Sequence, residues 1–458
     1  MQDDLYEEDA SFTLSDSDIQ NIEDNIQQGH EEAVKTAVAG LNGPDCAELL
    51  EKVSDDNRHI ILEQHASAID PETYAELDPE LCKDALEDME APQVAKLISS
   101  LESDDALEVI ENLDGEFQKE VIRKLPVKKR VSMEEGLSFP ENSAGRLLQR
   151  EFVAIPQSWT VGETIDSLRA SSDEDIPEFF SDIFIVTSGS QVSGKVPLAR
   201  LIRSGSQIKL ETLSLEEIYS IPASMDQEEV AQIFRRENLL SAAVVDSEEK
   251  MIGVITIDDI VDVIDEEAQE DILKLAGVKE PSIYRDVIAT SRSRFGWLLI
   301  NLFTAIMASI VISLFDATIQ QIVALAILMP IVASMGGNAG TQALTVAVRA
   351  LAMREVSNIN SLRVIWKETI VGALNGVAFA VIIGVVTFFW FKNTELAIII
   401  AVAMIINLIV AGLFGAGIPI FLSRVGSDPA IASTVLLTTV TDVIGFFVFL
   451  GLAATFLI

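Results

Sequence analysis

The chain has 458 residues, 49% of them hydrophobic, with 71 Asp and Glu against 32 Lys and Arg, a net charge of −39. That length accommodates two to four domains, and so large an acidic surplus argues against nucleic acid and for cations as ligands. Two cysteines, Cys46 and Cys82, are too few for a disulfide framework or a thiolate zinc site.

The charge is unevenly spread. Residues 291–458 hold eight Lys and Arg and six Asp and Glu, net +2, so the remaining 24 basic and 65 acidic residues give −41 over residues 1–290. An acidic soluble half is thus joined to a nearly neutral, apolar half. The start, MQDDLYEEDASF, has neither a basic nor an apolar segment of the signal-peptide kind, so the N-terminal half is expected to be cytoplasmic.

Residues 1–30 read as an acidic tail. Residues 31–140 show apolar positions at three- and four-residue spacing, as in Ala47, Leu49, Leu50 and Val53, between Asp- and Pro-containing breaks. This pattern predicts an all-α helical superhelix of short hairpins. Its carboxylates Asp104, Asp105 and Glu108 read as solvated helix starts.

Between residues 141 and 265 the pattern of strand, helix, strand, turn, strand, helix occurs twice, at 141–203 and 204–265. Such a duplicated α/β unit resembles a tandem pair of CBS domains. The second copy carries Thr256 and Asp259, which that resemblance implies would hold the ribose of an adenine nucleotide. The first has Pro197 and Arg200 in their places and is degenerate. The segment from Gly189 to Lys195 has the glycine and lysine spacing of a phosphate loop. Val196 stands where a magnesium-binding hydroxyl would be, and strands flank it, so it reads as a hairpin turn. Three histidines and no nucleophile–base arrangement argue against an enzyme.

Residues 266–290, entered by the acidic stretch 260–277, form a connecting helix and its link through Pro281 and Arg285 to the first of five apolar runs. These runs, 295–315, 319–347, 370–391, 396–422 and 430–457, are each long enough for a bilayer core of roughly 30 Å. Arg292, Arg294, Arg349, Arg354, Arg363, Lys367 and Arg424 fall on one side and Lys392 on the other. That bias predicts a cytoplasmic N-terminus and an outer C-terminus in a plasma membrane. In the second run Pro330, Gly336, Gly337 and Gly340 predict an unwound backbone, whose freed carbonyls would join Asn338 and Gln342 as hard oxygen ligands. Glycine-mediated helix packing accounts for the same residues. In the fifth, Asp442 lies mid-span, at a depth where a carboxylate is costly and marks an ion or proton path.

The order of these parts, with MGGN-x-G-x-Q ending at Gln342 and DPA…TTVTD-x-x-G from Asp428 to Gly445, resembles the MgtE family of magnesium channels over nearly the whole chain. The resemblance implies a homodimer in the lipid bilayer with a pore between subunits, lined by the second and fifth spans. Asp442 would select Mg2+, with Asn338 beside it. Cytosolic Mg2+ would hold the pore shut through Asp226, Glu228, Asp259, Asp262, Glu267, Glu270, Asp271 and Asp428, with the connecting helix as the lever. An ion-coupled secondary transporter of divalent cations and a CBS-based membrane sensor are the competing readings of the same residues.

Overall fold

The computed structural model describes residues 14–457 apart from 172–175, 178, 216–217, 280–281, 358 and 431–432. Residues 1–13 of the expected tail, and Pro281, lie outside the described residues. Contacts divide the chain into two units, residues 1–267 with 282–284, and residues 268–281 with 285–458.

The first unit begins with short helices: α1 Asp16–Gln27, α2 Glu31–Val38, α3 Gly43–Lys52, α4 Asp55–His65, α5 Thr73–Glu76, α6 Pro79–Glu87, α7 Ala91–Ser100, α8 Ser103–Glu111, α9 Gly115–Lys124 and α10 Val127–Gly136. The breaks between them are chemical. Ser15, Asn42, Ser54 and Asp78 accept from free backbone N–H groups at helix starts, and Glu90 with Gln93 forms a capping box. One apolar stripe from each of most helices feeds a single core that includes Leu49, Leu50, Ile61, Leu86, Ile98 and Ile110. Residues 282–284 return to this domain. Ser282 Oγ donates to Asp78 Oδ1 at 3.0 Å, the Tyr284 hydroxyl donates to the Glu51 carbonyl at 3.0 Å, and the Arg58 guanidinium lies 5.3 Å above the Tyr284 ring.

The α/β part is a true duplication. β1 Ala154–Pro156 runs parallel to β2 Asp182–Val186, which pairs antiparallel with β3 Val192–Pro197. β4 Ser220–Pro222, β5 Ser241–Val245 and β6 Met251–Thr256 repeat that arrangement. Even the register shift recurs, at Ile185/Val186 and at Val244/Val245. Helix α11 Val161–Ala170 follows β1, α12 Leu198–Ile202 follows β3, α13 Gln227–Glu237 follows β4, and α14 Ile257–Ala276 follows β6. The two copies exchange flanking chain. Ala144 and Leu148 pack in the core of the second copy, while Leu210 packs in that of the first. Lys195, the lysine of the false phosphate loop, is buried in β3, where its Nζ lies 3.1 Å from Asp182 and donates to the Ser241 carbonyl at 3.0 Å.

The second unit holds five helices long and apolar enough to cross a membrane, α15 Val287–Ser313, α17 Ala324–Ala352, α18 Ser361–Phe391, α19 Thr394–Val425 and α20 Ser433–Phe456, with a short α16 Asp316–Gln321 between the first two. The unwinding expected in the second span is absent. The chain leaves the helix earlier, at Ile322, and α17 then continues through Pro330 and all three glycines. Pro330 lies near the helix start, so its missing N–H frees a carbonyl only at that end. The glycines serve close approach. A Cβ at Gly340 would press on Leu437 of α20, and one at Gly415 of α19 would meet the Gly340 carbonyl at 2.6 Å. Carbonyls of the helical stretch around Asn338 are therefore engaged in the helix, and only its side chains project as ligands.

The α18–α19 seam is tightest. A Cβ on Gly412 would overlap the Glu368 carbonyl, whereas one on Gly417 meets nothing within 4 Å. We expect Gly412→Ala to cost about 1–3 kcal/mol through overpacking and Gly417→Ala to be neutral. Thermal midpoints of the two variants in detergent micelles check this, and equal midpoints would refute the close backbone contact.

Candidate ion path and acidic seam

Asp442 is half-buried in α20 and, among the described residues, makes no hydrogen bond or ion pair. Thr434, Thr438 and Asp442 repeat at four-residue intervals and so share one face of that helix. On α17 the exposed side chains Ser334, Asn338, Thr341, Gln342 and Thr345 form a polar line at helical spacing. The register between the two helices follows from their contacts. Gly336 and Gly445 both abut the side chain of Asn407, and Gly340 abuts Leu437. Between those two levels, Asn338 and Asp442 fall within one helical turn of the same depth. The structure thus brings together the two candidate path residues that lie 104 positions apart in sequence.

Asn407 was not read as a site from sequence, although it is the single polar residue in the run 396–422. It is fully buried, and its Nδ2 donates to the Val332 carbonyl at 2.8 Å. Among the described residues its Oδ1 has no partner, a state that costs about 1–3 kcal/mol in a dry interior.

At one end of this bundle the last turns of α14 are docked. Leu275 packs with Leu344, Val348 and Leu437 from α17 and α20. The Leu275 carbonyl accepts from Thr434 Oγ1 at 2.9 Å, and Gly277, with φ +70°, abuts the Trp297 indole where a Cβ would overlap it. Lys274 Nζ bridges Glu270 at 2.7 Å and Asp428 at 2.9 Å. Burial alone would lower that ammonium's pKa, but the bonds to Glu270 and Asp428 prevail and raise it. Asp271 is pushed up by burial first and then by the charge of Asp428. Glu270 and Asp428 are therefore linked through a lysine that sequence reading passed over, and Asp271 lies within reach of the charge of Asp428.

In the first unit the start of α8 faces the start of α14. The expectation that Asp104, Asp105 and Glu108 are plain solvated helix starts is corrected here. Asp104 and Asp105 are half-buried, and Glu108, though it keeps accessible surface, is crowded by protein. Burial first, then the charges of Glu266, Asp105, Glu76 and Asp262, push Glu108 up to about 8. Burial, then Glu151 and Asp105, push Glu102 up to about 7. Asp104 is raised well above the usual carboxylate range by burial and then by Asp259. Asp262 is raised by burial and then by Asp258 and Asp265. Lys129, the base beside this seam, is itself lowered by burial and donates to the Leu101 carbonyl.

Asp259 plays two parts. Its Oδ2 accepts from the Thr256 hydroxyl at 2.8 Å and from the Thr256 N–H at 3.2 Å, while burial still raises it to about 7. The first copy cannot build this pair. Pro197 has neither donor, and Arg200 turns to the Leu213 carbonyl. Asp226, Glu228 and Glu267 lie apart, around the start of α13. Asp226 caps that helix through Glu228 N–H, Glu228 accepts from Gln232, and Glu267 accepts from Gln227 Nε2 at 2.9 Å. Among the described residues no three His, Cys, Asp or Glu side chains are gathered so as to hold a metal ion. The carboxylates oppose one another across a seam instead.

The sign of the pH dependence follows. A carboxyl whose pKa is raised by assembly of the seam stabilises that assembly only while protonated, and the stability is lost as pH rises through the raised value. With Glu102 and Asp259 raised from the ordinary carboxylate range to about 7 and Glu108 to about 8, metal-free protein should loosen progressively from about pH 4 to about pH 8 and no further above that. Hydrogen exchange in α8 and the first half of α14 should quicken over that window by more than the intrinsic base-catalysed rise. Constant protection, after that correction, would contradict the seam.

Comparison with known proteins completes the picture. A family profile described as divalent cation transporter matches residues 329–452, one for the MgtE intracellular N domain matches 41–142, and one for the CBS domain matches 211–266. The chain is 30% identical over 361 residues to the magnesium transporter MgtE of Bacillus subtilis, covering 79% of this chain and 80% of that one. It is 27% identical over 440 residues to the magnesium transporter MgtE of Thermus thermophilus, covering 94% and 97%. The solved cytosolic domain of the Mg2+ channel MgtE in complex with ATP superposes with a TM-score of 0.49 at 23% identity, covering 54% of this chain and 99% of that one. With an intracellular N domain, a CBS domain and a transporter domain in the order its sequence implied, this multi-pass membrane protein belongs to the MgtE family of divalent cation transporters.

Proposed function

We propose that the protein is a magnesium-selective channel for Mg2+ uptake, shut by cytosolic Mg2+. The observation that carries this reading is the unpaired Asp442 at the depth of a polar line on α17. A polar face of that length is unfavourable against lipid, so it lines water or a partner. A second copy of the chain across a two-fold axis supplies both. Two Asp442 carboxylates then flank one conduit, and the amide of Asn338 accepts from the waters of a hydrated ion. Mg2+ holds its water tightly and prefers octahedral oxygen surroundings, so a path that binds the hydrated ion by charge and water contacts suits it. The N-terminus lies in the cytoplasm and the C-terminus outside, in keeping with the Lys and Arg bias of the span ends.

Closure follows from the acidic groups. Facing carboxylates about 6 Å apart repel by roughly 3 kcal/mol at an effective dielectric of about 20. The regulatory ligands we propose are Asp259 and Asp262 with the carboxylates of α8, Asp226, Glu228 and Glu267 around α13, and Glu270, Asp271 and Asp428 at the docked end of α14. Hard carboxylate oxygens are suited to a hard divalent ion, which would reverse the repulsion and favour the compact state. Since Leu275 packs on α17 and α20, α14 is the lever by which that state reaches the path. In the second CBS copy Thr256 and Asp259 are the residues that would hold the ribose of an adenine nucleotide.

Two experiments test this. Mg2+ flux into proteoliposomes should fall on the order of tenfold or more in Asp442→Asn, a change of charge at nearly constant volume, and wild-type flux there would sink the proposal. Flux that tracks a proton gradient rather than the Mg2+ gradient would instead favour a coupled carrier. Lys274→Gln removes the ammonium between Glu270 and Asp428, so closure should need several-fold less Mg2+, measured as half-maximal protection of the cytosolic half from protease. An unchanged midpoint would remove Glu270 and Asp428 from the ligand set.

A further inference from the structure

The structure carries one residue beyond these, at the centre of the membrane unit. Asn407 is the sole polar side chain in residues 396–422 and is fully buried in α19. A carbonyl only accepts, so the bond from Asn407 to the Val332 carbonyl, at 2.8 Å, must come from Nδ2, and this fixes which way the amide points. Oδ1 is then left with no hydrogen-bond partner among the described residues. The amide is wedged between two glycines of different helices. At Gly336 of α17 an added Cβ would overlap Nδ2, and at Gly445 of α20 it would lie 2.9 Å from Nδ2 and 3.1 Å from Oδ1. One side chain of α19 therefore spaces α17 from α20. Gly336 lies two residues from Asn338, and Gly445 lies three residues from Asp442.

A leucine has the branched outline of asparagine, with bulkier methyl ends, and needs no partner, so apolar burial alone gives no reason for an amide with an orphan oxygen here. Glycine at both contacts permits a separation that any larger residue would widen. We propose that Asn407 is a positioning residue for ion passage. It holds α17 to α20 through the Val332 carbonyl and thereby sets the width between Asn338 and Asp442 that distinguishes Mg2+ from a larger divalent ion. This rests on the reading of Asp442 as part of the path.

The test is transport of Mg2+ and Ca2+ by the full chain in proteoliposomes, with Asn407→Leu, Gly445→Ala and Asp442→Asn beside the wild type. Asn407→Leu, whose bulkier methyls press on Gly336 and Gly445, should fold with a midpoint lowered by overpacking, and in the folded protein its preference for Mg2+ over Ca2+ should fall about tenfold, since small displacements at a reacting or binding centre carry effects of that size. Gly445→Ala, which pushes on the same amide from α20, should shift the preference too, and the double variant should be less than additive. A purely structural residue would lower the amount of active protein and leave both the ion preference and the half-saturating Mg2+ concentration alone. That outcome in Asn407→Leu overturns the inference. If Asn407→Leu yields no folded protein, an unchanged preference in Gly445→Ala overturns it equally. Wild-type flux in Asp442→Asn would overturn the path itself, and so separates failure of that reading from failure of this one.

Discussion

Like charge held at close quarters is the constraint on which the first unit turns. Carboxylates of α8 and α14 face each other, and Lys129 beside them is itself depressed by its surroundings. Crowded acids oppose assembly while they are ionised, so the compactness of this region depends on their protonation. The start of α14, where Asp259 accepts from the Thr256 hydroxyl, therefore connects the second CBS copy to the electrostatics of the helical domain.

The membrane unit solves a different problem. Hydrophobic burial gives no drive between helices in lipid, so association relies on close packing and a few internal polar bonds. Gly340 against Gly415 and Gly412 against Glu368 provide the first, and Asn407 to Val332 provides the second. With α17, α19 and α20 fixed in this way, the polar line on α17 is displayed at a defined depth. A lipid-facing helix of ordinary composition would have no need of such a line.

Much of this was legible in the chain itself. Punctuated short helices, the duplicated strand pattern and five apolar runs each follow from local periodicity, and all three architectures are present. Asp442 was legible because a carboxylate in a hydrophobic span has few explanations. The seam at Asp104 and Glu108 was not, since an acid at a helix start looks the same in sequence whether it faces water or another acid. Glycines around Asn338 carried the same ambiguity between unwinding and packing, and only the partners Leu437 and Asn407 resolve it. Lys274 could be paired with Glu270 by its four-residue spacing, but Asp428 lies 154 positions further on, and nothing local announces it.

That lysine changes how the joint at the foot of α20 would respond to its surroundings. A tethered ammonium never dilutes, so Glu270 and Asp428 meet a constant local supply of one positive charge whatever the cell contains. Monovalent ions in bulk cannot match so high an effective concentration. A competitor has to bring two charges and more than one oxygen contact to displace it. The joint thus holds a counter-ion of its own, in place before any dissolved ion arrives.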